Sequence, residues 1–203
     1  MDEVQSEHVL PVAAGVVLVQ LARRGLERFV SEGLDYRPDL TALPAILTRN
    51  GCCFVTLTEQ GRLRGCMGHT EPQDPLAVDV IANAIAAASR DPRFAPLRAT
   101  ELANVHLEVT VLGPMRQVVF DDYDNLIGQL RPRVDGVLLK QGQRQALLLP
   151  QVWHRIAQPA EFLNVLAYKA GLPSRLLWVT PPAYTVMVFQ AQTFAEPGYR
   201  EPE

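Results

Sequence analysis

The stretch Cys53-Phe54-Val55-Thr56-Leu57-Thr58-Glu59-Gln60-Gly61-Arg62-Leu63-Arg64-Gly65-Cys66-Met67-Gly68 decides the fold class. Its first six residues are rich in β-branched and aromatic side chains, which suit a pleated strand. Gln60-Gly61 supplies a tight turn, and Arg62 to Met67 returns as a second strand. A pairing with no slip puts Arg64 and Cys66 on one face with Val55 and Cys53; a slip of one residue reverses that face. Within the returning strand, Gly65 removes a side chain and lets another group approach the backbone closely. Gly68 can redirect the chain where the strand ends.

Working outward, Val105 to Leu112 alternates Val105, Leu107, Val109 and Val111 against His106, Glu108 and Thr110, the pattern of a half-buried strand. A second hairpin is expected over 134–140 and 144–149, and a last strand over 184–189. Three helices are expected between them. One follows Pro11 and ends near Gly33, with Val12, Val16, Val19, Leu26, Phe29 and Val30 near one face. One begins at Asp74-Pro75, Asp as the cap and Pro at the first helical position, and runs to about Ser89. Its buried face is Ala77, Ile81, Ala84, Ile85 and Ala88; Asp79 and Asn83 lie on its polar face. The third spans about Pro159 to Ala170 and stops at Gly171-Leu172-Pro173. A short helix capped by Asp121 or Asp122 runs through Leu130, and Glu196 to Glu203 reads as a frayed tail. Hairpins mixed with helices give an α+β fold: a largely antiparallel mixed sheet with flanking helices.

The 203 residues are 48% hydrophobic and 20% charged, an ordinary globular composition for one domain, 1–203. The net charge of −3 makes nucleic acid a poor partner, because non-specific binding feeds on a basic field. Val9 to Val19 is apolar but too short to span a bilayer, and it is preceded by Asp2, Glu3 and Glu7 rather than by positive charge. Three cysteines, Cys52, Cys53 and Cys66, are odd in number and clustered, which fits a reducing, cytoplasmic compartment. Phosphate-binding glycine loops, H-E-x-x-H, G-x-S-x-G and paired C-x-x-C are all absent. Cys66 and His69 have Cys-x-x-His spacing, but further ligands are missing, so no metal is expected.

The candidate site is therefore the thiol of Cys66, two residues from Arg64 and three from His69, with Gly65 and Gly68 opening the backbone. A guanidinium beside a thiol favours the thiolate. Against this, a free cysteine often serves as a small buried hydrophobe, and the glycines can serve a bulge and a turn. Arg93, in the loop after the second helix, and Glu108, a carboxylate inside an apolar strand that needs a partner when buried, are weaker candidates. Asp121, Asp122 and Asp124 read as a solvated helix start.

Gly61-x-Leu63-Arg64-Gly65-Cys66-Met67-Gly68 resembles the signature of the AMMECR domain family, called AmmeMemoRadiSam system protein A in bacteria and archaea. Asp91-Pro92-Arg93-Phe94, Leu107 to Leu112, Leu149-Pro150-Gln151-Val152 and Lys169-Ala170-Gly171-Leu172 extend the resemblance over nearly the whole chain. Two positions depart from the pattern: Met67, usually Ile, and His69, usually Thr. The resemblance implies two unequal lobes with the motif near a cleft between them. The larger lobe would hold both termini; a smaller, mainly helical lobe would be inserted. It also implies Memo-like and radical SAM partners. It names neither a reaction nor a cofactor. Two readings stand. In one, the chain is an enzyme or enzyme component acting on a small molecule or modified group, with Cys66 as nucleophile or thiolate ligand, Arg64 as anion clamp or pKa modulator, His69 as the nearby base, and Gly65, Gly68, Arg93 and Glu108 around the substrate. In the other, it is a non-catalytic binding or adaptor protein whose motif is structural.

Overall fold

The computed structural model describes residues 9–178 and 182–202; the acidic Asp2, Glu3 and Glu7 lie outside them. The chain divides into two compact units, Met1–Leu112 with Gln192–Glu203, and Gly113–Ala191.

In the first unit, helix α1 (Val12–Glu32) follows Pro11 and ends where Gly33, at φ 70°, donates its N–H to the Phe29 carbonyl. Strand β1 (Cys52–Glu59) turns through Gln60 and Gly61, both at positive φ (52° and 76°), into β2 (Arg62–Gly68). Two successive left-handed residues are what a tight hairpin needs to match strand twist. Helix α2 (Leu76–Ser89) and strand β3 (Val105–Leu112) follow. The sheet order is β2-β1-β3-β8, where β8 is Ala191–Ala195; β1 runs antiparallel to both β2 and β3. One face, carrying Cys53, Val55, Leu57, Leu107, Val109 and Val111, joins α1 and α2 in a continuous apolar core. Alternation places Phe54, Thr56, His106, Glu108 and Thr110 on the other face, called the outer face below.

The α+β class and antiparallel sheets agree with the sequence reading, but several details do not. The buried side of α1 is Ala14, Gly15, Leu18, Val19, Leu21, Ala22, Gly25 and Leu26, so Val19 and Leu26 face the core as expected, whereas Val12 is 76% exposed and Val16 is exposed too. The reason is close approach: Gly15 lies under the Phe194 ring and Gly25 under Ile81, so the smallest residues mark the contact. Asp74 does not cap α2; Pro75 is the flanking residue, and the Asp74 carbonyl instead accepts from Gly51 N at 3.1 Å. Asp79 and Asn83 are buried rather than solvated, because they satisfy the backbone of Cys53: its N–H donates to Asp79 Oδ2 at 3.0 Å and its carbonyl accepts from Asn83 Nδ2 at 3.1 Å. The strand over 184–189 is not the last, since β8 follows it.

The second unit holds β4 (Arg116–Val118), α3 (Tyr123–Gln129), β5 (Gly136–Gln141), β6 (Arg144–Leu148), α4 (Pro159–Lys169) and β7 (Thr185–Phe189). Its sheet order is β4-β7-β5-β6, with antiparallel pairing throughout. The expectation of a mainly helical insert is therefore too narrow: continuous apolar runs such as Val137 to Leu139 and Ala146 to Leu148 pair into a sheet. Asp122 caps α3 by accepting from Asn125 N at 2.8 Å. Trp153 stacks on Phe162 with centroids 3.8 Å apart and donates to the Asp135 carbonyl at 2.6 Å, a core role for both rings.

Two glycines test this packing. A Cβ at Gly65 would overlap the Ala87 carbonyl oxygen of α2, whereas one at Gly128 in α3 would meet nothing within 4 Å. Gly65→Ala is expected to cost about 1–3 kcal/mol by overpacking against backbone. Gly128→Ala is expected to gain roughly 0.5–1 kcal/mol from helix propensity. Urea unfolding of both variants checks the opposite signs.

Candidate functional site

The position of Cys66 follows from one irregularity. The β1–β2 register pairs Glu59 with Arg62 and Thr58 with Leu63, then Leu57 with Gly65 and Thr56 with Cys66. Arg64 is the extra residue, a bulge that shifts the remainder of β2 by one. The unslipped reading that grouped Cys66 with Val55 and Cys53 is thus reversed. Gly65 turns to the core, against α2, and Cys66 turns to the outer face beside Thr56, whose hydroxyl donates to Sγ at 3.5 Å.

The bulge also removes Arg64 from the thiol. Its guanidinium forks onto Glu101, Nε to Oε1 at 2.8 Å and Nη2 to Oε2 at 3.2 Å, with Nη1 on the Ala95 carbonyl at 3.0 Å. Arg64 thus pins the loop that follows α2, its fork taken up by a carboxylate of this chain. His69 departs as well. Its Nε2 lies 2.9 Å from Asp79 Oδ1, on the α2 side, and contributes to making burial of that carboxylate tolerable. Burial raises the Asp79 pKa, with His69 opposing. Gly68 pairs with Phe54, and a Cβ there would strike the Phe54 ring and the Cys53 carbonyl.

The sequence-predicted residues that do assemble are Cys66, Arg93 and Glu108. The Cys66 N–H donates to Asp91 Oδ2 at 2.8 Å. Asp91 also takes Arg93 Nη2 at 2.7 Å, Arg93 Nε at 2.9 Å and the Arg93 N–H at 3.1 Å. The Arg93 side chain, with the two backbone amides, holds the Asp91 carboxyl well below the usual carboxylate range. Bonding to Asp91 raises the Arg93 pKa, and its guanidinium lies 5.5 Å from the Phe94 ring centre.

Across β1, the residue paired with Thr56 is Glu108. Cys66, Thr56 and Glu108 therefore form one row over three strands, with about 5 Å between neighbouring strands. Burial pushes the Glu108 carboxyl up to about 7, and the charge of Glu201 adds to this; hydrogen bonds from the Tyr199 and Thr110 hydroxyls oppose it. Burial, with Glu108 and Glu201, raises the Tyr199 phenol further still and keeps it neutral. Thr56, Asp91, Tyr199 and Glu201 were not legible as site residues. Tyr199 in an otherwise polar Pro-Gly segment is the one signal that a supposedly frayed tail has something to cover. Among the described residues no group of three His, Cys, Asp or Glu could hold a metal ion. No helix among them is long and apolar enough to cross a membrane.

Against known families, the AMMECR1 family model matches residues 19–194. The chain belongs to the AMMECR1 family. A protein of Methanothermobacter thermautotrophicus is 40% identical over 191 residues, covering 91% of this chain and 95% of the relative. One of Methanosarcina mazei is 36% identical over 198 residues, covering 96% of each. Among solved structures, PH0010 of Pyrococcus horikoshii, described as uncharacterized, superposes with a TM-score of 0.84 at 32% identity, covering 94% of this chain and 98% of that one. This AMMECR1 chain therefore shares fold and family with archaeal proteins along almost its full length.

Two measurements probe the site. Asp91→Asn is expected to cost about 2–3 kcal/mol at pH 7. The lower end applies because the Arg93 side chain is 54% exposed and solvent screens its charge. A lowered carboxyl contributes stability above its unfolded value of about 3.9 and loses it as pH falls through the folded value. The gap between wild type and Asp91→Asn should accordingly stay constant down to about pH 4 and narrow below it, as urea midpoints from pH 7 down to pH 2 will show. In a carboxyl ¹³C titration, Glu108 should titrate at about 7 and move lower in Glu201→Gln.

Proposed function

We propose that this AMMECR1-family chain is an enzyme, or the reactive component of one, acting on a small molecule or modified group at the row Cys66–Thr56–Glu108. The observation that supports this is a half-buried thiol fixed through its own amide by Asp91, in the same row as a carboxyl pushed up to about 7. Cys66, as the thiolate, adds to an electrophilic unsaturated carbon of the bound molecule, and the displaced π electron pair takes a proton from Glu108. Glu108, protonated and ionised in comparable amounts near neutrality, can both take and return a proton. Its distance from the thiol, two strands away, suits proton exchange with the bound molecule rather than with the sulfur. Arg93, tied to the same Asp91 carboxylate as the Cys66 amide, supplies a positive charge on this side of the site. Memo-like and radical SAM proteins are the partners this reading assigns, in a cytoplasmic setting, on the strength of the motif.

The adaptor reading draws on a separate observation: Arg64, Gly65 and Gly68 are all used for packing, which makes half of the motif architectural. The two readings part at the thiol. A deletion strain is complemented with wild type or with Cys66→Ala, and its metabolites are compared without targeting. The enzyme reading expects Cys66→Ala to leave the deletion profile in place while melting within a few degrees of wild type. Full restoration by Cys66→Ala would overturn it in favour of the adaptor.

A further inference from the structure

The outer face that carries the thiol row is not open. After β8 the chain is clamped once, at Glu196, and then crosses that face. Glu196 Oε1 accepts from Arg23 Nε at 2.6 Å, and Oε2 accepts from Arg23 Nη2 and, at 3.0 Å, from the Leu107 N–H. The Glu196 N–H returns to the Leu107 carbonyl at 3.0 Å. A turn follows, closed by the Tyr199 N–H on the Glu196 carbonyl at 3.1 Å, with Gly198 at φ 85°. Gly198 rests on the His106 ring, where an added Cβ would come within 3.1 Å of Cε1. Tyr199 reaches down to Glu108 and into the field of Cys66, and Arg200 lies near Gly61 of the β1–β2 turn.

We propose that residues 197–202 are a strap hinged at Glu196 that covers the Cys66–Glu108 row and opens when Glu108 loses its proton. This deepens the reading of that row as the site, but the gating stands on the geometry and would hold even for an unreactive thiol. Glu108 is faced by Tyr199 and Glu201 from the strap, by Thr56 from β1, and by Thr110 and His106 along β3, with Cys66 one strand beyond Thr56. Closing the strap brings the Glu201 carboxylate beside Glu108, and two close carboxyls do not both stay ionised without cost. The closed strap therefore holds a proton on Glu108 that the open one releases. Between the ordinary carboxylate value of about 4.3 and the closed value of about 7, the closed form binds more protons, so rising pH opens it. The strap itself is mostly exposed, the character of a segment that opens locally while the fold stays intact.

The test is the rate of Cys66 exchange with 4,4′-dithiodipyridine, a disulfide that reacts even in mild acid, from pH 5 to 8.5. It is run on wild type and on Gly198→Ala, which strains the positive-φ turn and presses on His106. Taking the ratio of the two rates removes the thiol's own titration. The variant is expected to react about tenfold faster at pH 5.5, the worth of roughly one hydrogen bond, with the ratio falling toward one above pH 8. Tyr199→Phe should behave alike, and Glu108→Gln should abolish the pH dependence. The buried Cys52 and Cys53 should stay unreactive in every variant, which reports an intact fold. Equal rates at all pH values, or a ratio that does not change with pH, would overturn the strap. Neither result depends on whether Cys66→Ala rescues the deletion strain, so the two proposals fail separately.

Discussion

One extra residue in β2 determines where everything else at the site falls. With Arg64 bulged out, Gly65 faces the helix and Cys66 faces the outer surface. Without the bulge, Cys66 would point into the core beside Val55, and the backbone could not come so close to α2. The bulge is held open by the fork of Arg64 on Glu101, and the strand beyond it by the hydrogen bond from the Cys66 amide to Asp91. Placement of the thiol is thus a backbone matter, enforced by two carboxylates on the loop that follows α2.

The class of fold was open to reading because it rests on short-range signals. Period-two alternation in β3, the Gln60-Gly61 turn and the Gly33 and Gly171 stops each depend on a few neighbouring residues. Their boundaries were accordingly found to within a residue or two. What escaped was long-range. Nothing near Val12 says that Gly15 and Gly25 mark the packed side of α1, since their partners, Phe194 and Ile81, are distant in sequence. Asp79 and Asn83 looked solvated because helical spacing cannot show that a strand backbone waits for them.

The site divides along the same line. Cys66 was legible from its glycine-flanked setting, and Glu108 and Arg93 from being charges where charges need explaining. Arg64 and His69 are near Cys66 in sequence, but the bulge sends one to Glu101 and the strand end sends the other to Asp79. Asp91 looked like a helix breaker, yet its side chain is 2% exposed and carries four hydrogen bonds. Family resemblance supplied the motif but not the geometry in which Arg64, Gly65, Met67 and Gly68 are taken up in packing while Cys66 faces a row of ionisable groups.

The hydrogen bond from the Cys66 amide to Asp91 has a further consequence. β2 is an edge strand, and an edge amide left unpaired is a template on which another chain can add a strand. Asp91 occupies that amide with a buried anion, and the neighbouring Arg64 kinks the strand out of line. The arrangement that orients the thiol is also a guard against aggregation. The thiol can thus sit at the rim of the sheet without leaving the rim adhesive.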